Sequence, residues 1–127
     1  MKREITEKLH QWKIAKEHKC LMVRGARQVG KTYSITEFGM AEYASFIYIN
    51  FLETPSLKQI FSGDLDTKTL LLNFSLYVPD AEFIQDNTLL FLDEIQECPE
   101  AITSLKFWSE DGRFDVIASG SMLGIDY

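Results

Sequence analysis

Gly25-Ala26-Arg27-Gln28-Val29-Gly30-Lys31-Thr32 constrains this chain more than any other stretch. Two glycines five apart, followed by lysine and a hydroxyl residue, form the Walker A pattern of a phosphate-binding loop. Gly25 lets the backbone turn sharply after a strand. Gly30 lets the main chain approach a polyphosphate that a Cβ would hold off. The loop N–H groups of Gly25, Ala26, Arg27, Gln28, Val29 and Gly30 then face the anion. Lys31 places an ammonium on the β/γ-phosphates, and the Thr32 hydroxyl is a ligand for Mg²⁺. Thr32 also opens a helix whose N-terminal dipole favours the same charge. The flanks agree. Cys20-Leu21-Met22-Val23 is the short apolar run of a buried strand, and residues 31–43 carry Ile35, Phe38 and Ala41 at helical spacing.

The second chemical signal is Thr88-Leu89-Leu90-Phe91-Leu92-Asp93-Glu94. Four consecutive bulky apolar residues predict a strand covered on both faces, as in a parallel sheet. The two carboxylates fall at its C-terminal end, where ligands bind in open α/β sheets. This is the Walker B pattern. Asp93 is the candidate Mg²⁺ ligand together with Thr32, and Glu94 the candidate general base for an attacking water.

The remaining pattern frames these two signals. Residues 3–18 predict a first helix with Ile5, Leu9 and Trp12 on one stripe. Trp12 reads there as a packing residue, and His10 and His18 as surface residues. Residues 46–51 predict a second strand, and Pro55 the first turn of a short helix reaching Phe61. Asp64 or Asp66 caps a helix over about 66–77, whose leucines Leu70, Leu71, Leu72 and Leu76, with Phe74, predict heavy burial. Asp86-Asn87 predicts a tight turn. Residues 100–110 predict a helix with Ile102, Leu105, Phe107 and Trp108 inward, and 114–118 a fourth strand that runs into Ser119-Gly120-Ser121. Ser119 and Ser121 are candidates to meet a γ-phosphate and its attacking water. With right-handed crossovers, this alternation predicts a doubly wound, mostly parallel α/β sheet with helices on both faces.

Composition limits the alternatives. The 127 residues predict one domain. No run of about 18 apolar residues is present, so no membrane span is expected. The charged start, Met1 to Lys8, lacks the apolar core of a secretory signal. Cys20 and Cys98 stand apart and read as reduced, mostly buried thiols in a cytoplasmic protein. The net charge of −6 conceals an asymmetry: residues 1–31 carry nine Lys/Arg against three Asp/Glu. A basic helix beside a basic phosphate site explains this more simply than a nucleic-acid face, because acidic residues interleave.

Taken together, Arg24 to Thr32, Tyr48-Ile49-Asn50-Phe51, Leu92-Asp93-Glu94-Ile95-Gln96 and Ala118-Ser119-Gly120-Ser121 resemble the AAA-type branch of the additional-strand P-loop NTPases. More narrowly, they resemble bacterial and archaeal ATPases that join an N-terminal AAA domain to a C-terminal domain of unknown function. The resemblance covers nearly all of residues 2–125. It implies a three-layer P-loop fold with sheet order 5-1-4-3-2, Mg-ATP as ligand, and a sensor-1 role for Ser119 or Ser121. In the family the chain runs on into a fifth strand, an arginine-finger region, a helical lid and a C-terminal domain. The sequence to Tyr127 therefore reads as an AAA core over residues 1–127 with strand 5 missing. An unpaired edge on the first strand predicts self-association, and the lack of an arginine finger predicts slow hydrolysis. Nucleic-acid or protein partners would engage through the C-terminal region. The resulting expectation is Mg-ATP binding and hydrolysis that drives a conformational task. One alternative is a nucleotide-dependent switch or interaction module with little hydrolysis. The other is a small-molecule kinase, which the adjacent Asp93-Glu94 pair disfavours. Phosphate release, with and without DNA, separates these readings.

Overall fold

The computed structural model describes residues 2–15, 19–24 and 29–120. In chain order these form α1 (Lys2–Ala15), β1 (Leu21–Arg24), α2 (Val29–Glu42), β2 (Ser45–Asn50), a 3₁₀ segment (Pro55–Phe61), α3 (Thr67–Tyr77), β3 (Thr88–Asp93), a 3₁₀ turn (Ile95–Glu97), α4 (Pro99–Asp111) and β4 (Asp115–Gly120). The four strands make one parallel sheet in the order β1-β4-β3-β2. The strand order matches 1-4-3-2 of the expected sheet. The phosphate-loop strand and the carboxylate strand are therefore separated by β4. Among the described residues, β1 pairs with β4 alone.

Alternation along the central strands builds two cores from one sheet. Leu89, Phe91 and Ile117 face one side, where they pack with Leu9 of α1 and with Ile35, Phe38 and Tyr43 at the α2 end. Leu90, Leu92, Val116 and Ala118 face the other, against Leu70 and Phe74 of α3 and Ala101, Leu105 and Trp108 of α4. Every residue of β3 and β4 is buried, which is why the β3 run is apolar without a break. Gly39 marks a tight helix–sheet contact. A Cβ there would collide with the Phe46 ring and lie 3.0 Å from Cδ2 of Leu89. The helix-propensity cost of this glycine, about 1 kcal/mol relative to alanine, is thus offset by close packing onto β2 and β3.

Local signals set several element ends. Asp66 caps α3, its carboxylate accepting from the Thr69 N–H at 3.0 Å. Gly112, at φ 73°, closes α4 in the left-handed conformation. Asp86 adopts φ 63° in the turn before β3, where the Asn87 N–H reaches the Ile84 carbonyl at 3.0 Å. The heavy burial expected of α3 is not found. Leu70 and Phe74 are buried, but Leu72 and Leu76 are 62% and 68% exposed. The helix packs a single stripe against the 3₁₀ segment and α4, and nothing described covers its outer leucines. On α4, Ala101 and Ser104 join Leu105 and Trp108 in the core, whereas Ile102 and Phe107 are half-buried.

The end of α4 is tied down by charge. Arg113 donates to both carboxylate oxygens of Asp111 at 2.8 and 2.9 Å, and the Thr67 hydroxyl donates to the same group at 2.7 Å. The Arg113 bonds hold the Asp111 carboxyl down at about 2. A depressed folded-state value stabilises the fold above the unfolded carboxyl range, and that contribution is lost as pH falls through the folded value. Asp111→Asn is therefore expected to cost about 1 kcal/mol near neutral pH, the modest worth of a partly exposed pair. The gap between parent and variant should close as pH falls from about 4 to 2. Urea denaturation across this range checks it, and a gap that persists at pH 2 would contradict the assignment.

Candidate functional site

The C-terminal ends of β3 and β4 and the N-terminal end of α2 meet at one edge of the sheet. Asp93 ends β3, and in register it lies opposite Asn50 of β2 on one side and Ser119 of β4 on the other. Ser119 also pairs with Val23 of β1. By alternation, Asp93 and Ser119 share the sheet face of Phe91 and Ile117, the face that α2 covers.

Asp93 is 5% exposed, and each of its oxygens is engaged. Oδ1 accepts from the Glu94 N–H at 2.9 Å. Oδ2 accepts from the Thr32 hydroxyl at 3.3 Å and from the Tyr48 hydroxyl at 2.8 Å. Thr32 stands 61 residues before Asp93 in the chain, so the fold has brought the two sequence signals together. Lys31 precedes Thr32 in the first turn of α2. Burial pulls its ammonium below the usual lysine range, and the Asp93 and Glu94 carboxylates push it back up. The site thus sets a cation and two acidic groups around a helix N-terminus.

Glu94 departs from the expected strand. The strand stops at Asp93, and Glu94 takes a left-handed backbone, φ 53° and ψ 45°. For a side chain this conformation costs on the order of 1 kcal/mol or more. It turns the chain out of β3 into the 3₁₀ turn. Glu94 is 9% exposed, and its Oε1 accepts from Gln96 Nε2 at 2.9 Å. The Gln96 Oε1 is buried and accepts from no donor among the described residues.

A groove of about 550 Å³ lies between α1, β1 and the start of α2, and of the groups above Lys31 lines it, whereas Thr32, Asp93 and Glu94 do not. Ile5, Lys8, Val23, Gly30, Lys31 and Ser34 are among its walls. A Cβ on Gly30 would meet no described atom within 4 Å. The Ser34 hydroxyl is buried without a partner among the described residues. Gly25, Ala26, Arg27, Gln28 and Ser121 lie outside the described residues, as does the side chain of Val29. His18 lies outside them too, and His10 is half-exposed at the surface, 3.9 Å from Glu42. Both cysteines are free thiols, Cys98 buried and Cys20 half-buried.

Sequence reasoning named Lys31, Thr32, Asp93, Glu94 and Ser119, and these gather at one end of the sheet. It missed Tyr48 and Gln96 as members of the site. Gln96 lies two residues beyond Glu94, but its contact depends on the left-handed turn. Tyr48 reaches Asp93 only through the β2–β3 register. The oxygen donors fit a hard divalent cation. Among the described residues, no group of three or more His, Cys, Asp or Glu could hold a metal. Mg²⁺ characteristically needs only one or two protein ligands beside a nucleotide's phosphates.

A family model described as an AAA domain matches residues 17–125. No curated protein sequence matches the chain. Six solved chains match by fold. One of them is the structure of C. elegans PCH-2, at TM-score 0.59 and 11% identity, covering 98% of this chain and 38% of that one. The chain thus spans well under half the length of that structure. Among the described residues, no helix is long and apolar enough to cross a membrane.

Proposed function

The chain belongs to the AAA domain family, whose P-loop domains are nucleotide-binding and of ATPase type, and from that premise we propose that this site binds Mg-ATP and hydrolyses it. The observation that carries the reading is the 3.3 Å contact between the Thr32 hydroxyl and the buried Asp93 carboxylate, with Lys31 beside it. A hydroxyl, a carboxylate and an ammonium at one helix N-terminus make a polyphosphate site with a cation seat.

In this reading Lys31 and the N-terminal dipole of α2 hold the β- and γ-phosphates. Thr32 and Asp93 would hold Mg²⁺. When bound, the ion neutralises charge on the phosphate oxygens. Glu94 takes the proton from the attacking water, and Gln96 orients its carboxylate. Ser119 sits at the adjacent strand end, where its hydroxyl can meet the γ-phosphate. The water-activating carboxylate next to the cation ligand favours hydrolysis over transfer to a small-molecule acceptor.

Asp93→Ala tests the cation seat. ATP binding without divalent ion is expected to stay within about threefold of the parent, while the tightening brought by Mg²⁺ is lost. Calorimetric titration in EDTA and in Mg²⁺ reads both. An undiminished Mg²⁺ effect in the variant would remove Asp93 from this role.

A further inference from the structure

Tyr48 touches the candidate cation ligand directly and is itself held by a chain of hydrogen bonds. On β2 it pairs in register with Phe91, so Asp93, two residues on, lies diagonal to it on the same face. The Tyr48 ring rests on Phe91 with centroids 5.2 Å apart, which aims the phenol along the strand toward the site. Its oxygen lies 2.8 Å from Asp93 Oδ2. Asn50 Nδ2 donates to that same phenol oxygen at 3.1 Å. The Asn50 amide is itself fixed, because its Oδ1 accepts from the Leu52 and Glu53 N–H groups, each at 2.9 Å. With Asn50 donating to the phenol oxygen, the phenol proton is left to point at the carboxylate. Backbone, amide, phenol and carboxylate therefore form one directed chain.

We propose that Tyr48 is a positioning residue that holds the Asp93 carboxylate, through its hydroxyl, in the orientation that receives the divalent cation of a bound nucleotide. The inference rests on the nucleotide reading of the site given above. Oδ2 already accepts from both Tyr48 and Thr32, and Oδ1 from the Glu94 N–H. A carboxylate has about four acceptor positions, so a cation can be received without breaking the Tyr48 bond. Outer-shell partners of this kind typically change metal affinity by about 10–100-fold when removed.

The test is Tyr48→Phe, which keeps the ring on Phe91 and removes only the hydroxyl. A fluorescent ATP analogue is titrated in EDTA, then Mg²⁺ is titrated into the complex, for parent and variant alike. Binding in EDTA should agree within about twofold. The Mg²⁺ concentration for half-maximal tightening should rise about tenfold in the variant. A role limited to packing would change the melting temperature and leave the Mg²⁺ midpoint unmoved. An unmoved midpoint, or one that falls, overturns the proposal. The parent curve alone tests the underlying reading. A parent without any Mg²⁺ effect overturns the nucleotide reading, and only the difference between the curves speaks for Tyr48.

Discussion

Glu94→Gln is expected to lower single-turnover ATP hydrolysis by about 10²–10⁴-fold, the usual worth of a positioned general base, while nucleotide binding stays within a few-fold of the parent. Glutamine keeps the size of the side chain and can still pair with Gln96, 2.9 Å away in the parent, but it cannot take a proton from water. The left-handed backbone at this residue, φ 53°, is expected to persist, since Glu94 makes no side-chain cap bond to the turn that follows and the substitution keeps the side chain's size. Parent and variant should therefore melt within a few degrees of each other. Rapid quench with radiolabelled ATP measures the step directly. Hydrolysis at the parental rate would take the base assignment away from Glu94 and leave the binding site untouched.

Lys31→Ala should have the larger effect on binding. The ammonium is partly withdrawn from water, which pulls its proton affinity down, and Asp93 and Glu94 oppose that pull. A phosphate oxygen in this position would strengthen the charged form further. Removing the cation leaves two acidic side chains facing an anionic ligand at about the same place. A loss of 10²-fold or more in ATP affinity is expected, on the order of 3 kcal/mol, with the fold intact. Lys31→Arg should not restore full binding, because a planar guanidinium cannot reproduce a compact ammonium at a fixed spot. Equal titration curves for Lys31→Ala and parent would defeat the assignment.

How much of this was legible beforehand differs from residue to residue. The β3 strand was, because burial on both faces forces an uninterrupted Leu89-Leu90-Phe91-Leu92 run, and the carboxylates mark where it emerges. The sheet order was legible through the family resemblance, not through spacing, since local patterns do not say that β4 inserts between β1 and β3. Burial on α3 was misjudged. Its leucines imply a covered helix, but whether an apolar stripe is covered depends on what lies beyond it, and Leu72 and Leu76 remain exposed. Tyr48 escaped for a different reason. In sequence it is one more aromatic in a strand, and its chemistry exists only once β2 and β3 are in register. Glu94 was identified as an acid but not as a left-handed residue, because a glutamate, unlike the Asp86 of the Asp86-Asn87 turn, carries no signal for that conformation.

The most direct test of the central claim is a calorimetric titration of ATP into this chain in the presence of Mg²⁺, repeated in EDTA. One saturable site per chain is predicted, with affinity in EDTA about tenfold or more weaker than with Mg²⁺. No saturable heat up to millimolar ATP with Mg²⁺ present would contradict the account, since Lys31, Thr32 and Asp93 would then be gathered around something other than a nucleotide.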